Sequence, residues 1–385
     1  MHPELFTIPG IHLTVPSYGA MVLIAFLGST WCATRRARRV KADPDIILNL
    51  AFISLVTSTI GARAFYVIHY WKDQFADQPR RIFELQAGGF EIYGGVIAAF
   101  VCCLLYGLIR RLPCRLYADI IAPSLLLGMG IGRIGCLLFG CCWGGTCSAH
   151  LPWAVQFPFG SPPFNRQWEN RQVTVPAELI LVDSSGMSGP FPRSLMKNSV
   201  PDLRDKLAKA EEGVAKAQAA GDEKKLASAT RMRSVLERGL EPILGHYERF
   251  DDTPDQLLAM SASPEFRTLP LHPSQLYGAI GPILLAFLLN AYFYRRPHHG
   301  TVMPLGFILY AVERFIEEAI RSDNPHDTFG LTISQGVSVG VLLVCLLVLL
   351  AIRQMPPRAA NVKPWVPVAA KPKPATATES VTPAG

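Results

Sequence analysis

Charged residues are scarce in this chain of 385 residues, where Asp, Glu, Lys and Arg make up 17% of the sequence, against about 25% in soluble proteins. Half of the residues are hydrophobic, which argues against a disordered or fibrous chain. The chain also lacks a continuous basic stripe, since its arginines fall in short clusters between apolar runs. The net charge of +7 therefore gives no reason to expect nucleic acid as a partner.

The N-terminus lacks the basic region that opens a cleavable signal peptide. Residues 1–4 contain no Lys or Arg, and the first positive cluster follows the first apolar run instead of preceding it. Signal peptides show the opposite order. We therefore expect the first apolar run to be retained as a membrane span.

Long apolar runs are what the sequence does contain. A bilayer crossing takes about 20 mostly apolar residues, and seven runs approach that length. They occupy residues 18–34, 45–70, 91–109, 117–140, 274–294, 302–320 and 331–352. The sequence therefore predicts an all-α polytopic membrane protein with seven transmembrane helices.

Basic clusters follow the first, third, fifth and seventh runs. They consist of Arg35, Arg36, Arg38, Arg39, Lys41, Arg110, Arg111, Arg115, Arg295, Arg296, Arg353 and Arg358. Because Lys and Arg concentrate on the cytoplasmic side of membrane proteins, this alternation predicts that the N-terminus lies outside and the C-terminus in the cytoplasm.

The apolar runs divide the chain into four predicted regions. Residues 1–160 hold spans one to four, and residues 268–352 hold spans five to seven. Residues 161–267 form a polar insert, which the orientation places on the extracytoplasmic side. Residues 353–385 are rich in Pro, Ala, Lys and Thr, a composition typical of a disordered tail.

The insert carries the pattern of a helical hairpin over about residues 195–245. Ser199 and Asp202 form a capping pattern, and apolar residues at heptad spacing follow it. Gly221 and Asp222 interrupt the pattern before a second apolar series begins. We expect this hairpin to serve packing or contact with a protein partner.

Charged side chains inside apolar runs are the first candidates for function, because a charge at mid-membrane costs about 2.5–3.5 kcal/mol on insertion scales. Arg63 lies in the second run and Arg133 in the fourth. In the sixth run, one helical face carries Tyr310, Arg314, Glu318 and Arg321. Two further carboxylates, Glu313 and Glu317, lie beside this face. One interpretation is a structural ion network. The other is a site for a phosphate-bearing lipid, since guanidinium groups bind phosphate at two points.

Glycines surround Arg133 in a pattern that has two interpretations. Gly130, Gly132 and Gly135 match a dinucleotide-binding fingerprint, but no strand precedes them and no βαβ unit surrounds them, so we reject that match. Gly128, Gly132 and Gly135 instead share one helical face, which favours close approach of a neighbouring helix.

Further polar groups fall in the outer halves of the spans. These are Tyr18, Tyr93 with Gly94 and Gly95, and the segment His272, Pro273, Ser274, Gln275, Leu276 and Tyr277. A single tyrosine at an interface is usually an anchor in an aromatic belt. Their convergence at one depth is what indicates a site.

Four of the nine cysteines lie within twelve residues, at Cys136, Cys141, Cys142 and Cys147. Their spacing is not one of the usual zinc or iron–sulfur spacings, so we expect neither a metal nor another cofactor. A disulfide involving Cys142 or Cys147 stays open if the outer face is oxidising. The remaining five cysteines are interpreted as small core residues.

Three motifs together resemble the bacterial prolipoprotein diacylglyceryl transferases. The segment 132–144 reads GRIGCLLFGCCWG, the segment 272–277 reads HPSQLY, and the segment 310–321 reads YAVERFIEEAIR. Weaker support comes from Tyr18-Gly19, from GAR at 61–63 and from GGFEIYGG at 88–95. The resemblance covers roughly residues 10–160 and 268–352, and the insert and the tail have no counterpart in it.

This resemblance implies transfer of a diacylglyceryl group from phosphatidylglycerol to the lipobox cysteine thiol of prolipoproteins, with release of glycerol phosphate, in the bacterial inner membrane. Arg133 and Arg314 would hold the phosphate, and Glu318 would orient Arg314. By the same resemblance Tyr93 and His272 join these three as catalytic candidates. The expected substrate-binding residues are Arg133, Tyr18, Arg63, Gly94, Gly95, Gly132, Gly144, Ser274, Gln275, Tyr310 and Arg321.

Three departures from the family pattern leave the base that accepts the thiol proton open. Tyr93 stands where the family often has a histidine, Cys136 where it has an asparagine, and Cys141 where a glutamate is common. Glu318 or His272 could substitute as the base, or the cationic site could lower the pKa of the incoming thiol.

A second hypothesis for the protein's function is a catalytically silent relative that binds lipid or prolipoprotein as a scaffold. A small-solute transporter is disfavoured, because no inverted repeat is evident.

Overall fold

Long helices occupy the predicted apolar runs. The computed structural model describes residues 4–8, 13–76, 79–84, 88–220, 223–321, 330–362 and 364–366. The α-helices of these residues are α1 Ser17–Arg39, α2 Pro44–His69, α3 Ile92–Ile109, α4 Cys114–Phe139, α5 Pro162–Glu169, α6 Arg193–Met196, α7 Val200–Ala219, α8 Glu223–Phe250, α9 Pro254–Ser261, α10 Ser274–Phe293, α11 Val302–Ile320 and α12 Ile333–Arg353.

Six of these helices are long and apolar enough to cross a membrane, namely α1, α2, α3, α4, α10 and α12. The seventh predicted span coincides with α11, which is helical over 19 residues but carries four charged side chains, Glu313, Arg314, Glu317 and Glu318. The protein is therefore a mostly helical, multi-pass membrane protein. The seventh crossing and the orientation stay predictions.

Two short antiparallel sheets depart from the all-α prediction. Strand β1 (Glu4–Ile8) pairs with β2 (Leu13–Pro16), and β3 (Ile180–Val182) pairs with β4 (Ser188–Pro190). In the second hairpin, Oδ1 of Asp183 accepts hydrogen bonds from two backbone N–H groups of the connecting turn, at 2.8 and 2.9 Å. Strands this short carry too few residues for an alternating pattern to predict them.

The chain divides into two compact units. Unit 1 contains Met1–Leu27, Leu125–Leu288 and Leu305–Val348, and unit 2 contains Gly28–Ser124, Leu289–Pro304 and Leu349–Gly385. Each unit is described by itself.

The insert in unit 1 has its own hydrophobic core. The largest side chains of this core are almost completely buried: Phe159, Phe164, Leu179, Phe191, Met196, Leu203, Ile243, Tyr247 and Leu257. Phe159 lies two residues before the predicted start of the insert. The core therefore extends slightly beyond the predicted boundary at residue 161.

The two helices of the predicted hairpin are α7 and α8, which pack against each other. Ser199 caps α7 by accepting a hydrogen bond from the backbone N–H of Asp202 at 3.2 Å. The predicted break at Gly221 and Asp222 lies outside the described residues. Leu203 of α7 and Ile243 of α8 are buried in the core of the insert, so the base of the hairpin is part of that core.

Two chain segments connect the insert to the membrane helices of unit 1. Backbone groups of residues 144–158 pair with those of residues 267–272. Antiparallel bridges join Thr146 and Val155 to Leu271 and Pro158 to Arg267, and the backbone N–H of Thr268 donates to the carbonyl of Phe157 at 3.0 Å. We call these paired segments the stem. The stem ends at His272, beside the start of α10.

In unit 2, α2 and α3 pack closely through small residues. A Cβ atom built at Gly94 would lie 2.6 Å from the carbonyl oxygen of Gly61, and one built at Gly95 would lie 2.9 Å from the carbonyl oxygen of Ser58. Close approach through small residues is typical of helix pairs in membranes. These contacts give Gly94 and Gly95 a packing role.

The first part of the predicted tail makes hydrogen bonds within unit 2. Arg115 donates to the carbonyl oxygens of Pro356 and Arg358, each at 3.2 Å, and the backbone N–H of Trp365 donates to the carbonyl of Lys41 at 2.7 Å. Composition does not report such hydrogen bonds to distant residues, and the disordered tail stays a prediction. Residues 367–385 lie outside the described part of the chain.

Candidate functional site

Arg133 and Arg314 meet at one carboxylate oxygen in unit 1. Oε2 of Glu317 lies 3.6 Å from a guanidinium nitrogen of Arg133 and 3.1 Å from one of Arg314. The side chains are 17%, 14% and 5% exposed for Arg133, Arg314 and Glu317 respectively. The two arginines therefore point into the interior of the unit and can reach the same ligand group.

Glu318 holds the other side of Arg314. Its Oε2 lies 2.6 Å from Arg314 and 4.0 Å from Nε of Arg321, and the hydroxyl of Thr332 donates to its Oε1 at 3.2 Å. The Glu318 side chain is fully buried. The predicted orienting contact between Glu318 and Arg314 is present in the structure, and Arg321 joins the same network.

Glycines of α10 make room for this ion network. A Cβ atom built at Gly278 would lie 2.9 Å from Oε1 of Glu317 and 3.2 Å from Nε of Arg133, and one built at Gly281 would overlap the carboxylate of Glu313. Both distances to Gly278 are too short for an unstrained contact. Any side chain at Gly278 would therefore displace the shared carboxylate or Arg133.

Glu317 and Gly278 are the functional candidates that the sequence prediction missed. Glu317 was recognised only as an additional carboxylate. Its position three residues after Arg314 is a helical pairing distance, which was a usable signal. Gly278 carries no such signal, because its importance depends on contacts with residues far away in the sequence.

Two tyrosines of the predicted headgroup site, Tyr18 and Tyr310, lie near Arg133. Tyr310 interacts electrostatically with Arg133 and Arg314. Tyr18 interacts with Arg133 and packs beside Gly135, where a built Cβ atom would lie 3.3 Å from its ring. No atom lies within 4 Å of a Cβ built at Gly132, so open space adjoins that position. The structure therefore brings Tyr18, Gly132, Arg133 and Tyr310 to one region.

The end of the stem brings His272 and Gly144 next to α11. The backbone N–H of Gly144 donates to the carbonyl of His272 at 3.1 Å, and the N–H of Gly145 donates to that of Ile320 at 2.8 Å. Nδ1 of His272 lies 3.3 Å from the hydroxyl of Tyr277. These contacts place both predicted residues beside Arg321, which forms a backbone bridge with Gly144.

Ser274 and Gln275 serve the turn after α4 through their side chains. The Ser274 hydroxyl donates to the carbonyl of Cys142 at 2.6 Å, and the Gln275 amide donates to the carbonyl of Cys141 at 2.9 Å. Both residues are completely buried. These hydrogen bonds position the turn, and the predicted contact of Ser274 and Gln275 with substrate stays a prediction.

Arg63 lies in unit 2, where its guanidinium group organises the segment between α2 and α3. Its five N–H groups donate to the backbone carbonyls of five residues at 2.6 to 3.2 Å, which are Arg81, Ile82, Glu84, Gly88 and Gly89. An arginine has five N–H donors in total. All five donors are thus used by backbone carbonyls in this structure, and the predicted lipid contact of Arg63 stays a prediction.

Tyr93 is the remaining site candidate of unit 2, at the start of α3. It is 47% exposed, directly before the packed Gly94 and Gly95. Its catalytic role stays a prediction.

Three cysteines at the end of α4 form a cluster. The Sγ atoms of Cys136, Cys141 and Cys142 all lie within 4.8 Å of one another, and all nine cysteines are free thiols. These three thiols are the described residues that could hold a metal ion.

The geometry suits recognition of a phosphate ester by paired guanidinium groups in a low-dielectric interior. Charge-assisted bonds from arginine to phosphate are strong and often two-pointed, and burial strengthens them. Donors held in place before the reaction also stabilise charge that develops on a leaving phosphate. Arg133 and Arg314 are the pair that can do this.

Comparison with known proteins agrees with this chemistry. A family model described as prolipoprotein diacylglyceryl transferase matches residues 3–351. A phosphatidylglycerol–prolipoprotein diacylglyceryl transferase of Rhodopirellula baltica is 29% identical over 368 residues, which cover 88% of this chain and 72% of that protein. A protein of the same name from Photobacterium profundum is 34% identical over 152 residues, or 39% of this chain and 56% of that protein.

Proposed function

Because the chain belongs to the prolipoprotein diacylglyceryl transferase family, we propose that it transfers a diacylglyceryl group from phosphatidylglycerol to the lipobox cysteine thiol of prolipoproteins. The resemblance found in the sequence is thereby confirmed. The observation that carries the proposal is the contact of Arg133 and Arg314 with one oxygen of Glu317. The alternative of a silent scaffold is not favoured, since the relatives are named as transferases.

The two arginines act on the phosphate of the lipid. As the thiolate sulfur attacks the glyceryl carbon, the bond from that carbon to the phosphate oxygen breaks, and glycerol phosphate leaves with the bonding electrons. Arg133 and Arg314 neutralise the charge that grows on the phosphate. Glu318 holds Arg314 in place through its 2.6 Å contact, and Tyr18 and Tyr310 line the headgroup.

The site lies, in this proposal, in the outer half of a seven-span protein of the bacterial inner membrane. Two observations support α11 as the seventh span. Its charged residues Arg314, Glu317 and Glu318 are directed inward. Val312 and Ile316 on the opposite face are 43% and 59% exposed. An apolar outer face with the charges turned inside is what a lipid-facing helix requires.

Purified protein in phosphatidylglycerol liposomes, given a lipobox peptide, tests the function. We expect mass spectrometry to find a diacylglyceryl adduct on the peptide thiol, and no adduct on a peptide with serine in place of that cysteine. A folded preparation that forms no adduct would contradict the proposal.

Arg133→Ala tests the site in the same assay. Loss of a preorganised cation that stabilises a developing anion lowers rates by about 10²–10³-fold, so we expect transfer to fall at least 100-fold while membrane insertion is retained. Arg166→Ala is the matched control, because Arg166 is an exposed arginine of the insert. Near wild-type transfer by Arg133→Ala would remove Arg133 from the mechanism.

A protein partner for the hairpin remains a prediction. Deleting residues 195–245 does not test it, because Leu203 and Ile243 belong to the core of the insert and their loss would unfold it. Removing only residues 210–233 leaves these core residues in place. An enzyme whose hairpin only binds a partner should still modify the isolated lipobox peptide after this shorter deletion.

A further inference from the structure

The thiols of Cys136, Cys141 and Cys142 have the geometry of an incomplete zinc site. Their Sγ atoms lie within 4.8 Å of one another. Zinc binds thiolate sulfur at about 2.3 Å in tetrahedral geometry, which places the sulfur atoms roughly 3.8 Å apart. The sulfur atoms are therefore at most about 1 Å farther apart than in a zinc site.

The backbone of the turn is held in the shape that gathers these thiols. Gly140 and Cys142 have φ angles of 85° and 58°, a left-handed conformation that is unfavourable for a residue with a side chain. Hydrogen bonds from Ser274 and Gln275 to the carbonyls of Cys142 and Cys141 stabilise it. A disfavoured conformation that its surroundings maintain is typical of functional sites.

The cluster offers three ligands, and among the described residues no histidine or carboxylate joins it as a fourth. Structural zinc sites in proteins almost always have four protein ligands, whereas catalytic sites have three and keep one position open. Thiolate ligands select soft or borderline ions, with zinc and copper(I) foremost. An open position beside three thiolates is therefore suited to binding substrate.

The open position lies next to the proposed phosphate site. Cys136 follows Arg133 by three residues on α4, which places the two side chains on neighbouring faces of one turn. Arg133 and Arg321 both interact electrostatically with Cys142. Their positive charges would offset the net negative charge of a zinc ion bound to three thiolates.

We propose that Cys136, Cys141 and Cys142 bind a zinc ion that takes the lipobox thiol of the substrate as its fourth ligand. This rests on the proposed function. A zinc ion held by these three residues would keep the substrate thiol deprotonated, its proton going to solvent. The thiolate sulfur then forms the bond to the glyceryl carbon as the carbon–oxygen bond breaks with its electrons going to glycerol phosphate. The zinc ion does not change its oxidation state. Because a thiol is deprotonated when it binds zinc, no protein side chain is needed as the base.

Metal analysis of the purified protein, prepared under reducing conditions without chelators, tests the binding. We expect about one zinc ion per chain in the wild type. The zinc content should be at least tenfold lower in the triple variant Cys136→Ser, Cys141→Ser, Cys142→Ser. Cys147→Ser is the matched control, because Cys147 lies close in sequence but outside the cluster, and it should keep its zinc. A circular dichroism spectrum of the triple variant establishes that it is folded.

Cobalt substitution tests the substrate contact independently of turnover. Cobalt(II) bound to the cluster should change its visible absorption when a lipobox peptide is added, and not when the serine form of the peptide is added. An unchanged spectrum overturns the substrate contact.

Three further results would overturn the proposal. They are a protein that transfers lipid without bound zinc, a cluster that binds copper(I) in place of zinc, and a disulfide between two of the three cysteines in protein isolated without reductant. A protein that binds zinc at the cluster but forms no lipid adduct would instead contradict the proposed function, so the two failures are distinguishable.

Discussion

Glu317 forms ion pairs with both guanidinium groups of the proposed site. It is 5% exposed and contacts Arg133 and Arg314 through one oxygen. Breaking a buried ion pair by removing one partner costs about 3–5 kcal/mol, because the remaining charge is left buried without compensation. Arg314 keeps Glu318 as a second partner, whereas Arg133 has Glu317 as its ion-pair partner among the described residues.

We expect Glu317→Gln to lower the kcat/KM of diacylglyceryl transfer by at least about tenfold, since a misplaced catalytic group costs one to two orders of magnitude in rate. The thermal midpoint of unfolding should fall as well. Glu169→Gln removes an exposed carboxylate of the insert and should change neither quantity. Wild-type transfer by Glu317→Gln would show that the shared carboxylate does not position the arginines.

Helix α10 approaches the charged residues of α11 closely because glycines, which have no side chain, lie at the contact. At Gly278 the built Cβ atom lies 2.9 Å from Glu317 and 3.2 Å from Arg133, whereas no atom lies within 4 Å of a Cβ built at Gly336 in α12. A glycine in an open helical position costs about 0.5–1 kcal/mol relative to alanine. The same substitution should therefore have opposite effects in the two helices.

Gly278→Ala is expected to reduce transfer about tenfold or more by displacing the ion network, and Gly336→Ala to retain transfer with equal or higher thermal stability. Rates in phosphatidylglycerol liposomes and unfolding midpoints in detergent measure the two effects. Equal behaviour of the two variants would contradict the packing argument.

Helix α8 carries a titratable group inside the core of the insert. His246 is 6% exposed and packs edge-on against Phe191, with ring centroids 4.7 Å apart. Burial lowers the pKa of His246 below its ordinary value of 6.5. As the pH falls through about 6.5, the unfolded insert binds a proton before the folded insert does, so the free energy of unfolding decreases.

We expect hydrogen exchange in α8, corrected for intrinsic rates, to accelerate as the pH falls from 7.5 to 5.5. His246→Gln should reduce this pH dependence by an amount corresponding to the binding of at most one proton, because the variant lacks the titrating imidazole. His150→Gln, at an exposed position of the same unit, is the control. An unchanged pH dependence in His246→Gln would rule out His246 as the cause.

The molecule as a whole combines an asymmetric distribution of arginine with six apolar helices and one mixed helix. Clusters such as Arg35 to Arg39 follow alternate spans, and seven crossings are the number that this alternation requires. If α11 did not cross, the two ends of the chain would lie on the same side of the membrane.

Labelling of single cysteines tests this topology. In a variant that keeps only Cys147, a membrane-impermeant maleimide should label intact spheroplasts. In a cysteine-free variant with Val366→Cys, at a position that is 75% exposed, the label should react only after the membrane is permeabilised. Labelling of both positions in intact spheroplasts would exclude an odd number of spans between Cys147 and Val366.

Local properties of the sequence were enough to locate the helices and the principal charges. Hydropathy is a property of each residue and its neighbours, so the predicted runs coincide with the long helices, and Ser199 caps α7 where its pattern predicted. Arg133, Arg314 and Glu318 were recognisable because a charge in an apolar run is costly and needs a reason.

Only the tertiary structure decided how these residues are used, because the decisive contacts join residues that are distant in the sequence. Glu317 forms an ion pair with Arg133, which lies 184 positions earlier in the sequence. Gln275 donates a hydrogen bond to the turn at Cys141, and the N–H groups of Arg63 donate to backbone carbonyls. The spacing of the cysteines does not predict that their thiols meet, whereas the structure brings them together at the left-handed turn of Cys142. Spacing along a chain reports distance in space only within one regular element, and each of these contacts depends on a turn or on a second helix.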